Sequence, residues 1–253
     1  MTASRLGRRI RRLLAHIPVT RSSLRAGLWL TDSGARDGFE NSAFFPMVSW
    51  SQEGEDLLLA QELPQFGRYV DVGAHDPYRY SNTKLLYDKG WRGLNIDVTQ
   101  DFLERFAMHR PEDVNVRALV GHSGSRMLYR FEEEALNTLS QERADMLQGD
   151  GWKLLSKEIV NVLSLNEILI DYGMPRSIDL LAVDAEGSDL EVLESLDWNT
   201  WHVERVLVEV GVPAYRVAAD PIAVFLNERN FVLSRVWGRS CLFERNPETI
   251  SNT

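Results

Sequence analysis

Between residues 51 and 245, short apolar runs alternate with stretches whose apolar residues return every three or four positions. Runs at Tyr69 to Val72, Gly93 to Val98, Val114 to Val120, Ile178 to Val183 and Val206 to Val210 are rich in Val, Ile and Leu and read as strands. Helical spacing predicts helices over Glu55 to Glu62, Ser81 to Lys89, Gln100 to Met108, Leu165 to Asp171 and Asp189 to Leu196. Strands separated by helices cannot be hairpin partners, so they pair in parallel through right-handed crossovers, in an open sheet covered on both faces. The expected architecture is a doubly wound α/β domain. Near the end of the chain, Phe231 to Trp237 and Cys241 to Arg245 flank Gly238-Arg239-Ser240, a hairpin connection, and an antiparallel pair is expected to close the sheet.

The first 48 residues follow a different pattern. Leu6, Ile10, Leu13, Leu14 and Ile17 recur at helical spacing, with Arg5, Arg8, Arg9, Arg11 and Arg12 between them, which predicts a basic amphipathic helix. Such a helix lies on anionic membrane surfaces, and an acid-free, Arg-rich start also resembles an organellar transit peptide; the alternative is an extension packed loosely on its own acidic domain. The polar, glycine-containing stretch Asp32 to Asn41 reads as a linker. The expected organisation is an arm over residues 1–30, a linker over 31–48, one folded domain over 49–245 and a tail over 246–253.

Composition narrows the classes. With 44% hydrophobic and 26% charged residues, the chain is neither disordered nor a membrane bundle. One cysteine, Cys241, excludes an internal disulfide framework and a cysteine-rich zinc site, and a reducing, cytoplasmic setting fits, with peripheral membrane contact through residues 5–17 as an addition. Seven of the 28 basic residues lie in residues 1–30 with no acid, so the remaining residues carry 21 basic against 37 acidic side chains. An acidic body argues against nucleic acid as the main partner.

Candidate chemistry sits at the strand ends, where ligands bind in open α/β sheets. The first strand runs into Val70-Asp-Val-Gly-Ala74 and His75. Gly73 lets backbone approach a ligand closely. The next glycine is Gly90, so no glycine-rich turn cradles a diphosphate, which indicates a nucleoside ligand without phosphates, such as S-adenosylmethionine (SAM). Asp97 ends the second strand 24 residues later, near the spacing at which an acid accepts ribose hydroxyls; a helix N-cap is its other reading. Leu180-Leu-Ala-Val-Asp-Ala-Glu-Gly187 puts Asp184 and Glu186 at a third strand end, as a general base, hydroxyl-orienting groups or ligands of a divalent cation. Helix capping is the competing role for Glu186 and Asp189. Glu209 is a third acid expected at the site, His75 a further candidate base, and Trp50 and Tyr78 stacking surfaces for a sugar. Tyr80 and Lys84 match the Y-x-x-x-K pair of short-chain dehydrogenases, but stand in the first crossover and lack a diphosphate turn.

Several blocks together resemble the FkbM family of SAM-dependent methyltransferases: Ser51-Gln-Glu-Gly-Glu-Asp56, Val70-Asp-Val-Gly-Ala74, Ser81-Asn-Thr83, Gly90-Trp-Arg-Gly93 with Asn95-Ile-Asp97, and Val183-Asp-Ala-Glu-Gly187 with Glu191-Val-Leu193. The resemblance covers roughly residues 49–245. It implies the class I methyltransferase, Rossmann-like fold, a mostly parallel seven-stranded sheet with a C-terminal antiparallel hairpin. It also implies SAM held by Asp71, Gly73, Ala74, Asp97 and Val98. Asp184, Glu186 and His75 become the catalytic candidates, and Glu209, Tyr78 and Trp50 the substrate-side ones. His75 stands where asparagine is common and Val98 where proline is common. The expected activity is O-methylation of a hydroxyl on a glycan or related natural product. The rivals are a non-catalytic glycan- or protein-binding module on the same fold and a nicotinamide-dependent oxidoreductase. The metal requirement and oligomeric state are left open.

Overall fold

The computed structural model describes residues 48–99, 101–133 and 136–246. The amphipathic arm, most of the linker and nearly all of the tail lie outside the described residues.

The elements run in chain order as helix α1 (Glu55–Glu62), strand β1 (Arg68–Val72), α2 (Lys84–Lys89), β2 (Arg92–Asp97), α3 (Phe102–His109), β3 (Val114–Arg117), β4 (Leu119–Val120) and β5 (Gly124–Phe131). They continue as α4 (Gln141–Gly149), β6 (Leu154–Leu163), α5 (Leu165–Asp171), β7 (Ser177–Ile178), β8 (Leu180–Val183) and α6 (Asp189–Glu194). The last are β9 (His202–Val203), β10 (Arg205–Glu209), a 3-10 turn (Ala214–Ala219), α7 (Pro221–Asn227), β11 (Phe231–Trp237) and β12 (Ser240–Arg245). The main sheet has seven strands in the order β11-β12-β10-β8-β1-β2-β3. β12 runs antiparallel between β10 and β11; the other pairings, β10 with β8, β8 with β1, β1 with β2 and β2 with β3, are parallel. This is the doubly wound, mostly parallel sheet with a terminal hairpin that the sequence predicts.

The central strands are apolar on both faces because both faces are covered. Val70, Leu181, Val183, Val206 and Val208 point to one side, where Leu165, Ile168 and Leu169 of α5, Val192 and Leu193 of α6, and Leu226 of α7 pack. Their neighbours Tyr69, Leu180, Ala182 and Leu207 point to the other, against Leu59 of α1, Leu86 of α2 and Trp91. Helix starts are fixed locally. Ser164 and Glu167 form a capping box at α5, and Asp220 caps α7 ahead of Pro221 at its first turn.

Four expectations are corrected. Val114 to Val120 is two strands, because Ala118 N–H bonds to Asp97 and the chain then leaves the main sheet, β4 pairing with β6 instead. Ile178 to Val183 is broken at Asp179, whose N–H bonds to Arg68, so β7 pairs with β9 and β8 with β1. The helix predicted from Ser81 starts at Lys84, since the Ser81 hydroxyl accepts from the buried Arg110 guanidinium and the Thr83 hydroxyl donates to the buried Asp71. Residues 124–163, for which no elements are predicted, supply β5, α4 and β6, and the two strands join β4 in a three-stranded sheet of order β4-β6-β5.

Candidate functional site

The C-terminal ends of β1, β2, β3 and β8 border a cavity of about 570 Å³, within the usual range for a small-molecule site. Val72, Gly73, Ile96, Asp97, Val98, Asp184 and Glu186 line its floor, and Leu128, Arg130, Asn137, Thr138 and Leu139 of the 124–163 insertion line the facing wall.

At the first strand end, Gly73 has φ +79 and donates its N–H to Ile96 at 2.9 Å. A Cβ there would lie 1.8 Å from the Asp184 carbonyl oxygen. The glycine is therefore required by the neighbouring strand end as well as by its place on the cavity wall. Asp97 closes the second corner: one carboxylate oxygen accepts the His75 N–H at 2.9 Å, and the other accepts the N–H of Thr99 at 2.7 Å and its hydroxyl. The N-cap position of α3 falls to Asp101, so the capping alternative for Asp97 does not hold. A carboxylate has about four lone-pair sites, and three accepted bonds leave Asp97, which lines the cavity, with one.

At the third corner, Asp184 Oδ1 is buried with no hydrogen-bond partner among the described residues. Burial first, then the charges of Glu209, Glu186, Asp189 and Asp71, push its pKa up to about 8. Glu186 is exposed and held at φ +49. Arg143 of the insertion reaches it, donating to its carbonyl at 2.8 Å and standing 4.0 Å from its carboxylate. Neither Glu186 nor Asp189 is the cap of α6, whose N-cap position falls to Ser188; Asp189, in the first turn, accepts the N–H groups of Ala185 and Gly187 of the preceding loop at 2.8 and 3.1 Å. His75 has φ +52, lines the cavity and stacks on Tyr80, itself at φ +58, with ring centroids 6.5 Å apart. Three non-glycine residues in the left-handed region around one cavity mark a site whose backbone is held by its surroundings.

Other expected residues lie elsewhere. Asp71 is fully buried, accepts the Thr83 hydroxyl at 2.6 Å and has its pKa raised to about 6 chiefly by burial; its side chain serves the packing behind the cavity. Ala74 packs against Phe102 and Phe106. Trp50 and Tyr78 face each other at 5.4 Å, with the Lys84 ammonium 5.0 Å from the Tyr78 ring and the Tyr78 hydroxyl 3.2 Å from His109. Neither lines the large cavity; Gln52, Arg79 and Tyr80 do. Glu209 pairs with Arg239 at 2.8 Å and borders a second cavity of about 330 Å³, which shares Glu186 with the first. Among the described residues no group of three or more His, Cys, Asp and Glu is arranged to hold a metal ion.

The chain is 32% identical over 114 residues to the methyltransferase sdnD of Sordaria araneosa, a match covering 42% of each. It thus aligns with less than half the length of that curated relative. Among solved structures, TrmK of M. capricolum in complex with S-adenosylhomocysteine superposes with a TM-score of 0.41 at 8% identity, covering 76% of this chain and 68% of that one. A TehB-like SAM-dependent methyltransferase of Corynebacterium glutamicum gives 0.37 at 12% identity, over 89% and 98%. The profile of the methyltransferase FkbM domain matches residues 71–233, which span β1 to β11 and every strand end described above. The chain belongs to the FkbM methyltransferase family.

Proposed function

We propose that this methyltransferase domain passes the methyl group of SAM to a hydroxyl of a glycan or related natural product, with Asp184 as the general base. The observation that carries this reading is the buried, unpartnered Asp184 Oδ1 on the wall of a cavity that Gly73 and Asp97 also line. The cavity fits a nucleoside. Asp97 retains an acceptor site for ribose, Val72, Ile96, Ala118 and Leu119 supply apolar surface for a base, and no diphosphate cradle is present among the described residues.

When bound, SAM supplies an electrophilic methyl on a sulfonium. The rest is positioning. A free alcohol is a weak nucleophile, so the chain must hold the hydroxyl about 3 to 3.5 Å from its target, in line, and take its proton as the new bond forms. Asp184, with its pKa at about 8, is a carboxylate basic enough for that transfer near neutral pH. Glu186 and His75, on the same wall, orient the acceptor. The test is incubation of the purified full chain with methyl-labelled SAM and glycan or natural-product extracts. Labelled products gaining one methylene in mass and carrying it on oxygen support the reading; label found on nitrogen or carbon, or none transferred across all extracts, overturns the acceptor assignment.

A further inference from the structure

Three arginines line the large cavity: Arg79, Arg117 and Arg130. Two are occupied. Arg130 pairs with Glu158, and Arg117 donates its Nε–H to the Val98 carbonyl at 3.1 Å. Arg79 has no described carboxylate within salt-bridge distance; its guanidinium rests 4.6 Å above the Tyr80 ring and donates to the Tyr80 hydroxyl at 3.3 Å. Its backbone is pinned. Asp76 accepts the N–H groups of Tyr78 and Arg79 at 2.8 Å each, and the fully buried Arg110 bonds the Pro77 carbonyl at 2.8 Å and the Ser81 hydroxyl at 2.5 Å. A buried guanidinium thus clamps both ends of the segment that displays Arg79, and keeps Tyr80 in its left-handed conformation. Glu133, two residues past the end of β5 on the insertion, lines the same cavity and acts on Arg79 through its charge, without an ion pair to a described basic side chain.

A cation and an anion that share a cavity without pairing to each other complement a zwitterion better than a singly charged ligand. We infer that Arg79 and Glu133 form a clamp for the amino-acid end of the cofactor, Arg79 taking its carboxylate and Glu133 its ammonium. The inference rests on the cofactor reading above. Sheet order supports the direction: the nucleoside corner is at Asp97, Val98 and Ala118, over β2 and β3, so the remainder of the ligand extends over β1 and β8, where the segment that follows Gly73 carries Arg79.

The test is binding, by calorimetry, of S-adenosylhomocysteine and of 5′-methylthioadenosine, which has the same nucleoside thioether without the amino acid. Wild-type chain is expected to prefer S-adenosylhomocysteine by at least about tenfold. Arg79→Ala should weaken S-adenosylhomocysteine binding by about 10- to 100-fold and leave 5′-methylthioadenosine within about twofold, with Arg79→Lys recovering part of the loss. Glu133→Gln should give a smaller loss of the same selectivity. An Arg79→Ala variant that binds S-adenosylhomocysteine like wild type, or that loses both ligands equally at an unchanged melting temperature, overturns the clamp alone. A wild-type chain that binds neither ligand overturns the cofactor reading and the clamp together.

Discussion

Asp184 sits where two demands conflict. Its folded-state pKa, raised to about 8 from an ordinary 3.8, means that the native state holds its proton more tightly than the unfolded chain does. The contribution of this group to stability is therefore fully present below the ordinary carboxylate pKa and is lost as pH rises through about 8. Asp184→Asn removes that loss, and the variant should be more stable than wild type by at least about 1 kcal/mol at pH 8 in denaturant unfolding. The same change should lower single-turnover methyl transfer at least about a hundredfold, while wild-type activity climbs with pH toward a plateau above about 8. An inactive but stabilised variant is the signature of a base kept in an unfavourable place for use; a destabilised one would mean that the acid holds the fold. Gly73 poses the opposite case. With φ +79 and a would-be Cβ 1.8 Å from the Asp184 carbonyl, Gly73→Ala should cost roughly 3 kcal/mol or more, measured by the same unfolding experiment.

Among the elements, the parallel core was legible because its strands are buried on both faces and therefore appear as unbroken apolar runs, as Leu180-Leu-Ala-Val183 does. The strand-end residues Gly73, Asp97, Asp184 and Glu186 were legible for the same reason: each stands at the end of such a run. The insertion was not. Along β6 only Val162 is fully buried, and β5 begins with four residues that are exposed or half-exposed, so neither strand shows a two-residue alternation. What holds them is their mutual ladder from Gly124–Val162 to Phe131–Leu154, a long-range pairing without a local signal. For that reason the facing wall of the cavity has no signature in the sequence; Trp50 and Tyr78, expected to stack on a sugar, do not line that cavity, and Lys84 and His109 stand against their ring faces and hydroxyl. Arg143 is one bridge between insertion and core, beside the Arg126–Glu191 pair at 2.8 Å, and its guanidinium lies 2.5 Å from where a Cβ on Gly187 would be. Arg143→Ala should leave S-adenosylhomocysteine affinity intact and raise the acceptor KM roughly tenfold, since only the wall facing Glu186 is loosened. A parallel loss of cofactor affinity would show that the insertion shapes the nucleoside corner too.

At the scale of the whole molecule, charge is divided between an acid-free first 30 residues and an acidic remainder. Among the described residues no helix is long and apolar enough to cross a membrane. Full-length chain is expected to sediment with anionic vesicles at low salt, to be released near physiological ionic strength, and to lose the interaction on deletion of residues 1–30 with turnover of soluble substrate unchanged. Full-length chain that ignores such vesicles at low salt would leave the arm as an extension of its own domain. The order of the sheet has a separate consequence for biogenesis. β12 is inserted between β10 and β11, so β10 has its outer neighbour only after residues 240–245 exist. On the ribosome, every earlier part of the chain can be synthesised while β10 still presents an open edge of unpaired N–H and C=O groups next to the strand that carries Asp184. The nascent chain is thus vulnerable to edge-to-edge association until β12 emerges, and the site-bearing centre of the sheet is sealed only once residues 240–245 can pair with β10.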